Sequence, residues 1–135
     1  MFFYTKYIYK FKVERSLTIK LPFVFNNFEH PYIKLANGNL TINAGYAWDG
    51  ATGPVIDTKN TLIASLVHDA LYQAMRLNLI PNGEATRKLA DKTFYSILKD
   101  NNVFILRRSI WYLAVRMFGR FFCKKKQGND VILHN

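Results

Sequence analysis

The chain has a single cysteine, Cys123, among 135 residues. That excludes an internal disulfide and any Cys-x-x-Cys metal or redox pair, and it fits a chain that matures in a reducing compartment. No reactive thiol is expected either. Lys124 to Lys126 follow Cys123, but no histidine stands near it in sequence. Acidic residues are also scarce, 9 against 19 Lys and Arg, for a formal charge of +10. Such an excess favours polyanions: nucleic acid, nucleotides, anionic lipid or cell-wall polymer. Long uninterrupted apolar runs are missing. The longest apolar stretch, 103–122, holds Arg107, Arg108, Arg116 and Arg120, too many charges for a spanning helix. The N-terminus MFFYTKYIYKFKV has no apolar segment free of Lys6, Lys10 and Lys12 and no cleavage site, so it is not read as a signal peptide. Phosphate-binding and dinucleotide-binding glycine motifs are absent.

Apolar residues make up 50% of the chain, enough for one core. The expected organisation is a compact domain over residues 1–122 and a polar tail over 123–135. The first third alternates. Tyr7, Tyr9, Phe11 and Val13 share one parity, and Leu17, Ile19, Leu21, Phe23 and Phe25 another. Period two predicts half-buried strands, with Pro22 limiting the second to an edge or breaking it near its end. PYIKL and LTINAGY flank Ala36-Asn37-Gly38-Asn39 and read as a hairpin. Three or four antiparallel strands are therefore predicted across residues 3–46.

YAWDGATGPVIDTKN reads as a glycine-rich loop, with Asp57 or Asn60 as cap of the helix that follows. In that helix Leu62, Ile63, Leu66, Val67, Ala70, Leu71, Ala74 and Met75 form one stripe. A second helix is predicted from about Glu84 to Lys99 and a third from about Val103 to Phe122. Strands first and helices after give an α+β fold, a three-helix part packed on an antiparallel sheet.

The helix containing SLVHDALYQAM places His68 at the edge of the apolar stripe, one turn from Tyr72, with Asp69 about 100° further round. Asp49 lies in the loop before it. Arg87 and Asp91 are four apart on the second helix, hence on one face; a surface ion pair is the plain reading of those two. Asp49, His68 and Asp69 are the candidate acid–base residues. His68, Asp49 and Asp91 are the candidate ligands of a divalent metal such as Zn, Mn or Mg. Arg87, Thr52 and Tyr72 are the candidate substrate-binding residues. A phosphohydrolase pattern using His30, His68-Asp69 and Asp91 is disfavoured, because His30 precedes Pro31 in strand or turn context. On the third helix Arg108, Tyr112, Arg116 and Arg120 lie on one i,i+4 line. Two readings stay open: a basic amphipathic helix lying on an anionic membrane, and a core helix whose solvated face is arginine.

The ordered set WDGATGP, LVHDALY, R-x-x-A-D-x-x-F at Arg87, Ala90, Asp91 and Phe94, and R-x-x-x-Y-x-A-V-R-x-F-G from Arg108 to Gly119 resembles the phage and prophage protein family DUF1353 over residues 45–120. Asp49, Thr52 and Pro54 match the sense of that family's T-D-hydrophobic-A-S-x-P loop, with glycines inserted. The resemblance implies a phage or prophage source, acting in the host cytoplasm or the virion. Its polar motif positions fall on Asp49, His68, Asp69, Arg87 and Asp91.

Three functions follow as expectations. One is a small hydrolase of cell-wall peptide or phosphoester, with or without a metal. Another is an accessory protein that meets other virion proteins, with His68, Asp69, Arg87 and Asp91 as a structural network. The last is a module that binds a nucleotide or other anionic ligand, or nucleic acid non-specifically through its charge.

Overall fold

The structure, a computed structural model, describes residues 2–4, 11–48 and 59–119. Asp49, Thr52, Asp57, Arg120, Cys123 and the 123–135 tail lie outside the described residues. Among the described residues the order is β1 (Phe2–Tyr4), β2 (Phe11–Val13), β3 (Leu17–Lys20), β4 (Phe28–Glu29), β5 (Ile33–Ala36), β6 (Asn39–Ile42), β7 (Ala47–Trp48), α1 (Lys59–Arg76), α2 (Glu84–Asp100) and α3 (Ile105–Phe118). The fold is α+β, as the pattern predicts.

The strands are more numerous and shorter than the alternation suggests. They form two antiparallel sheets, β1-β2-β7 and β3-β6-β5-β4. β3 stops at Lys20 because its last ladder bond is Leu21 N–H to Gly38 O at 2.8 Å, and Pro22 has no N–H to offer. The expected hairpin is β5–β6. Asn37 and Gly38 turn it with φ of 51° and 82°, the pair of left-handed residues that a two-residue hairpin needs to match strand twist. The register sets Ile33 against Ile42 and Leu35 against Leu40, all almost fully buried, with Leu17 and Ile19 half-buried beside them on β3. Thr18 and Thr41 pair hydroxyls at 3.0 Å on the other face. The β2–β7 pairing runs on into the link from β6, where Val13 N–H meets Tyr46 O and Gly45 N–H meets Val13 O, each at 2.8 Å.

The helices close the other side of one core. Ala64, Leu66, Val67, Ala70, Leu71, Ala74 and Met75 of α1 join Phe94 and Leu98 of α2, Trp111 and Val115 of α3, and the sheet residues above. α1 begins at Lys59, so Asn60 lies within the helix rather than capping it. α1 and α2 stop in the same way. Asn78 (φ 59°) and Asn102 (φ 62°) take the left-handed conformation. The next residue then donates back across the turn, Leu79 N–H to Ala74 O at 2.8 Å and Val103 N–H to Leu98 O at 3.0 Å. These closures satisfy helix-end carbonyls and drop Ile80 and Val103 into the core.

Gly38→Ala puts a Cβ into the left-handed region. It should cost about 1–2 kcal/mol, read from the denaturant midpoint, with the slope of the transition unchanged.

Candidate functional site

Arg87 and Asp91 do not form a surface pair. They lie in the buried stripe of α2 with Ala90, Phe94 and Leu98, and Asp91 is wholly inaccessible. A lone carboxylate there would carry a large desolvation cost. Its two oxygens are instead served by separate groups. Oδ1 receives His68 Nε2 at 2.7 Å and the Tyr72 hydroxyl at 2.5 Å, both from α1. Oδ2 receives Arg87 Nη1 at 3.3 Å from α2 itself and Arg116 Nη1 at 2.8 Å from α3. All three helices therefore meet on one carboxylate.

The arginines have further anchors. Arg87 grips Glu84 with Nε and Nη2 at 3.0 and 3.1 Å, and its Nη1 also reaches the Val115 and Arg116 carbonyls at 3.3 Å. Burial alone would weaken its charge, but hydrogen bonding to Glu84 and the nearby Asp91 raise its pKa overall. Arg116 donates to Glu84 as well. Hydrogen bonds from Arg87 and Arg116 hold the exposed Glu84 carboxyl down at about 2.

His68 is buried, 4% exposed, with its ring centroid 4.1 Å from that of Tyr72 and 5.2 Å from that of Phe94. The imidazole is thus fixed by a ring on either element and by Asp91. Both Asp91 oxygens accept protein donors, the two guanidinium groups on Oδ2 among them, so in this contact Nε2 is the nitrogen that donates. In that tautomer Nδ1 is the acceptor nitrogen of the ring. Gly119 closes the site on the α3 side. A Cβ there would collide with the Tyr72 hydroxyl and the Val115 carbonyl, so only glycine lets Tyr72 reach Asp91.

Of the residues expected from sequence, His68, Tyr72, Arg87 and Asp91 come together. Asp69 is half-buried on α1 beside His68 and is itself engaged. Asp49 and Thr52 lie outside the described residues. Among the described residues no three His, Cys, Asp or Glu side chains gather as a metal set. His30 sits in the turn before β5, its Nδ1 buried without a partner and its pKa lowered by that burial. Glu84, Arg116 and Gly119 were not anticipated. Their signals are faint: an acid three residues before Arg87, and a cation on the Arg108–Tyr112–Arg116 line. That line is not a solvated face. Arg108 donates to the Tyr95 hydroxyl at 3.1 Å and to Val103 O at 2.9 Å, and Arg116 points into the site.

Two clefts open elsewhere. One of about 460 Å³ includes Ile19, Pro22, Ile63 and Asn101 in its lining, and one of about 540 Å³ includes Phe23, Lys92, Lys99 and Tyr112. Neither includes His68.

Two outcomes test this geometry. Asp91→Ala removes the shared acceptor of His68, Tyr72, the buried Arg87 and the partly exposed Arg116, and should cost about 3–5 kcal/mol in chemical denaturation. Glu84 has its folded pKa depressed from 4.5 to about 2. Its stabilising contribution is therefore complete above pH 4.5 and disappears as the pH falls towards 2. An acid titration followed by circular dichroism should lose stability in that window, and Glu84→Gln should flatten the same part of the curve.

The family model DUF1353, described as a protein of unknown function, matches residues 26–115, and the chain belongs to that family. No curated protein matches the chain, and no solved structure does.

Proposed function

We propose that this member of the DUF1353 family is a hydrolase in which His68 is the general base, Asp91 orients it, and water is the nucleophile. One observation carries the reading: the 2.7 Å contact between His68 Nε2 and a wholly buried carboxyl group that also accepts from Arg87 and Arg116. That arrangement fixes the tautomer and leaves Nδ1 free of the proton. It also stabilises the imidazolium formed when Nδ1 takes a proton from water. Tyr72 holds the same oxygen of Asp91 and packs on the imidazole ring, so it positions the base.

Arg87 is better placed as a support than as a clamp for a substrate anion, because its nitrogens face Glu84, Asp91 and two carbonyls. Asp91 likewise serves as an orienting carboxylate, since both of its oxygens accept protein donors. The phage or prophage source implied by the family resemblance suits a hydrolase used at the host envelope, in the infected cell or carried in the virion.

A second reading has its own support. Asp91 joins α1, α2 and α3 through four donors, and a fully satisfied polar network is sufficient reason for these residues if it does nothing but lock the helices.

His68→Asn separates the two. As a hydrolase, the wild type should cleave a cell-wall peptide, a phosphoester or a carboxylic ester. The variant should then lose about 10²–10⁴ of kcat while melting within a few degrees of the wild type. No turnover of any of these by the wild type, with or without added Zn²⁺, Mn²⁺, Mg²⁺ or Ca²⁺, together with a drop in stability on His68→Ala, would establish the lock instead.

A further inference from the structure

α3 turns Arg108 and Arg116 to protein partners and its large apolar residues outward. Leu106, Ile110, Leu113 and Met117 are each more than half exposed, as are Phe104 and Ile105 at its start. The spacing 106, 110, 113, 117 keeps those four within about 60° of one another around the helix. Val115 is buried on the opposite side, and Trp111 and Ala114 are buried as well. Single apolar residues on a surface call for no explanation, but a contiguous row along a whole helix marks a contact surface.

Area, spacing and charge together say what fits it. Six side chains of this size, each somewhat over half exposed, hold on the order of 600 Å². Two such faces covering each other therefore bury about 1,200 Å², the size at which specific protein interfaces begin. The intervals along the row run four, three, four, which is the alternation of a helix-pair seam. That order reads the same in both directions. An antiparallel copy related by a two-fold axis between Ile110 and Leu113 thus sets Leu106 against Met117 of the second copy, and Ile110 against its Leu113. The face is complementary to itself.

Charge does not oppose the pairing. α3 has no Asp, Glu or Lys. Arg108 is held by Tyr95 and Val103, and Arg116 by Asp91 and Glu84. Arg107 is exposed on the rim of the row, its guanidinium 4.7 Å from the centre of the Trp111 ring. Antiparallel pairing leaves the two copies of Arg107 about 13 Å apart along the helix axis, beyond the ~8 Å screening length of physiological salt. Parallel pairing would set them at one level, so the antiparallel arrangement is favoured.

We infer that this protein pairs with a second copy of itself through the exposed face of α3, the two helices antiparallel about an axis between Ile110 and Leu113. The pairing does not depend on His68 acting as a base. It braces the helix that delivers Arg116 to Asp91, and the melting temperature should therefore rise with protein concentration.

The full chain and its Ile110→Glu/Leu113→Glu variant are compared by sedimentation velocity from micromolar to near-millimolar concentration, with thermal melts over the same range. The wild type should form a dimer with a dissociation constant on the order of micromolar. The glutamate variant replaces exposed side chains and should melt within a few degrees of the wild type at low concentration. It should dimerise at least about a hundredfold more weakly. In a Cys123→Ser background, Leu106→Cys mixed with Met117→Cys should oxidise to a mixed disulfide dimer. Leu106→Cys alone should not, because antiparallel pairing holds its two copies about 16 Å apart, out of disulfide reach. A wild type that is monomeric at every concentration overturns the pairing. If the glutamate variant is then less stable, the chain's own residues cover the face; if the monomer sediments with phosphatidylglycerol vesicles, a bilayer does. A dimer that survives the glutamates overturns the interface, and Leu106→Cys linked to itself overturns the antiparallel arrangement.

Discussion

A carboxylate with no access to water must be matched group for group, and Asp91 sets that demand at the centre of the helical layer. Its four donors come from His68 and Tyr72 on α1, Arg87 on its own helix, and Arg116 on α3. Each donor restricts something beyond itself. Arg116 requires α3 to turn one particular face inward. Tyr72 requires a residue without a Cβ at Gly119. Arg87 brings Glu84, which in turn draws Arg116. Apolar packing of Leu71, Phe94 and Val115 would tolerate several rotations of these helices, since apolar contacts have no direction. Hydrogen bonds to a single buried carboxylate tolerate few.

The same constraint shapes chemistry. A histidine between two aromatic rings, with one nitrogen fixed on a carboxylate, has a defined tautomer and a defined basic atom. Lock and base are therefore not opposed in physical terms. A general base must be held still, and the network that holds it also joins the helices. What differs is whether water and a substrate reach Nδ1, and function depends on that access.

The inward turn of Arg108 and Arg116 has a further result. A helix rich in both arginine and apolar residues has two ways to face its neighbours. The usual one hides the apolar side. Here the polar network and the Arg108–Tyr95 contact claim the arginines, and Leu106, Ile110, Leu113 and Met117 are left outside. An outward apolar stripe is thus the counterpart of the buried carboxylate.

Much was legible in the chain. The period-two pattern with Asn37-Gly38 determined the β5–β6 hairpin, because alternation selects a face and only left-handed residues make that turn. The stripe from Ala64 to Met75 determined α1, and Asn101-Asn102 ended α2. The pairing of His68 with Asp69 on a helix edge marked the site, with Arg87 and Asp91 beside it. Tertiary structure decided the rest. It showed that Asp91 rather than Asp69 holds His68, that Arg87 and Asp91 are core rather than surface, and that Arg108 and Arg116 of α3 turn to protein partners. Local periodicity reports which residues share a face of a helix. It does not report which face a neighbouring helix claims, because that is settled by donors and acceptors far apart in sequence, and their pairing exists only once the helices have met.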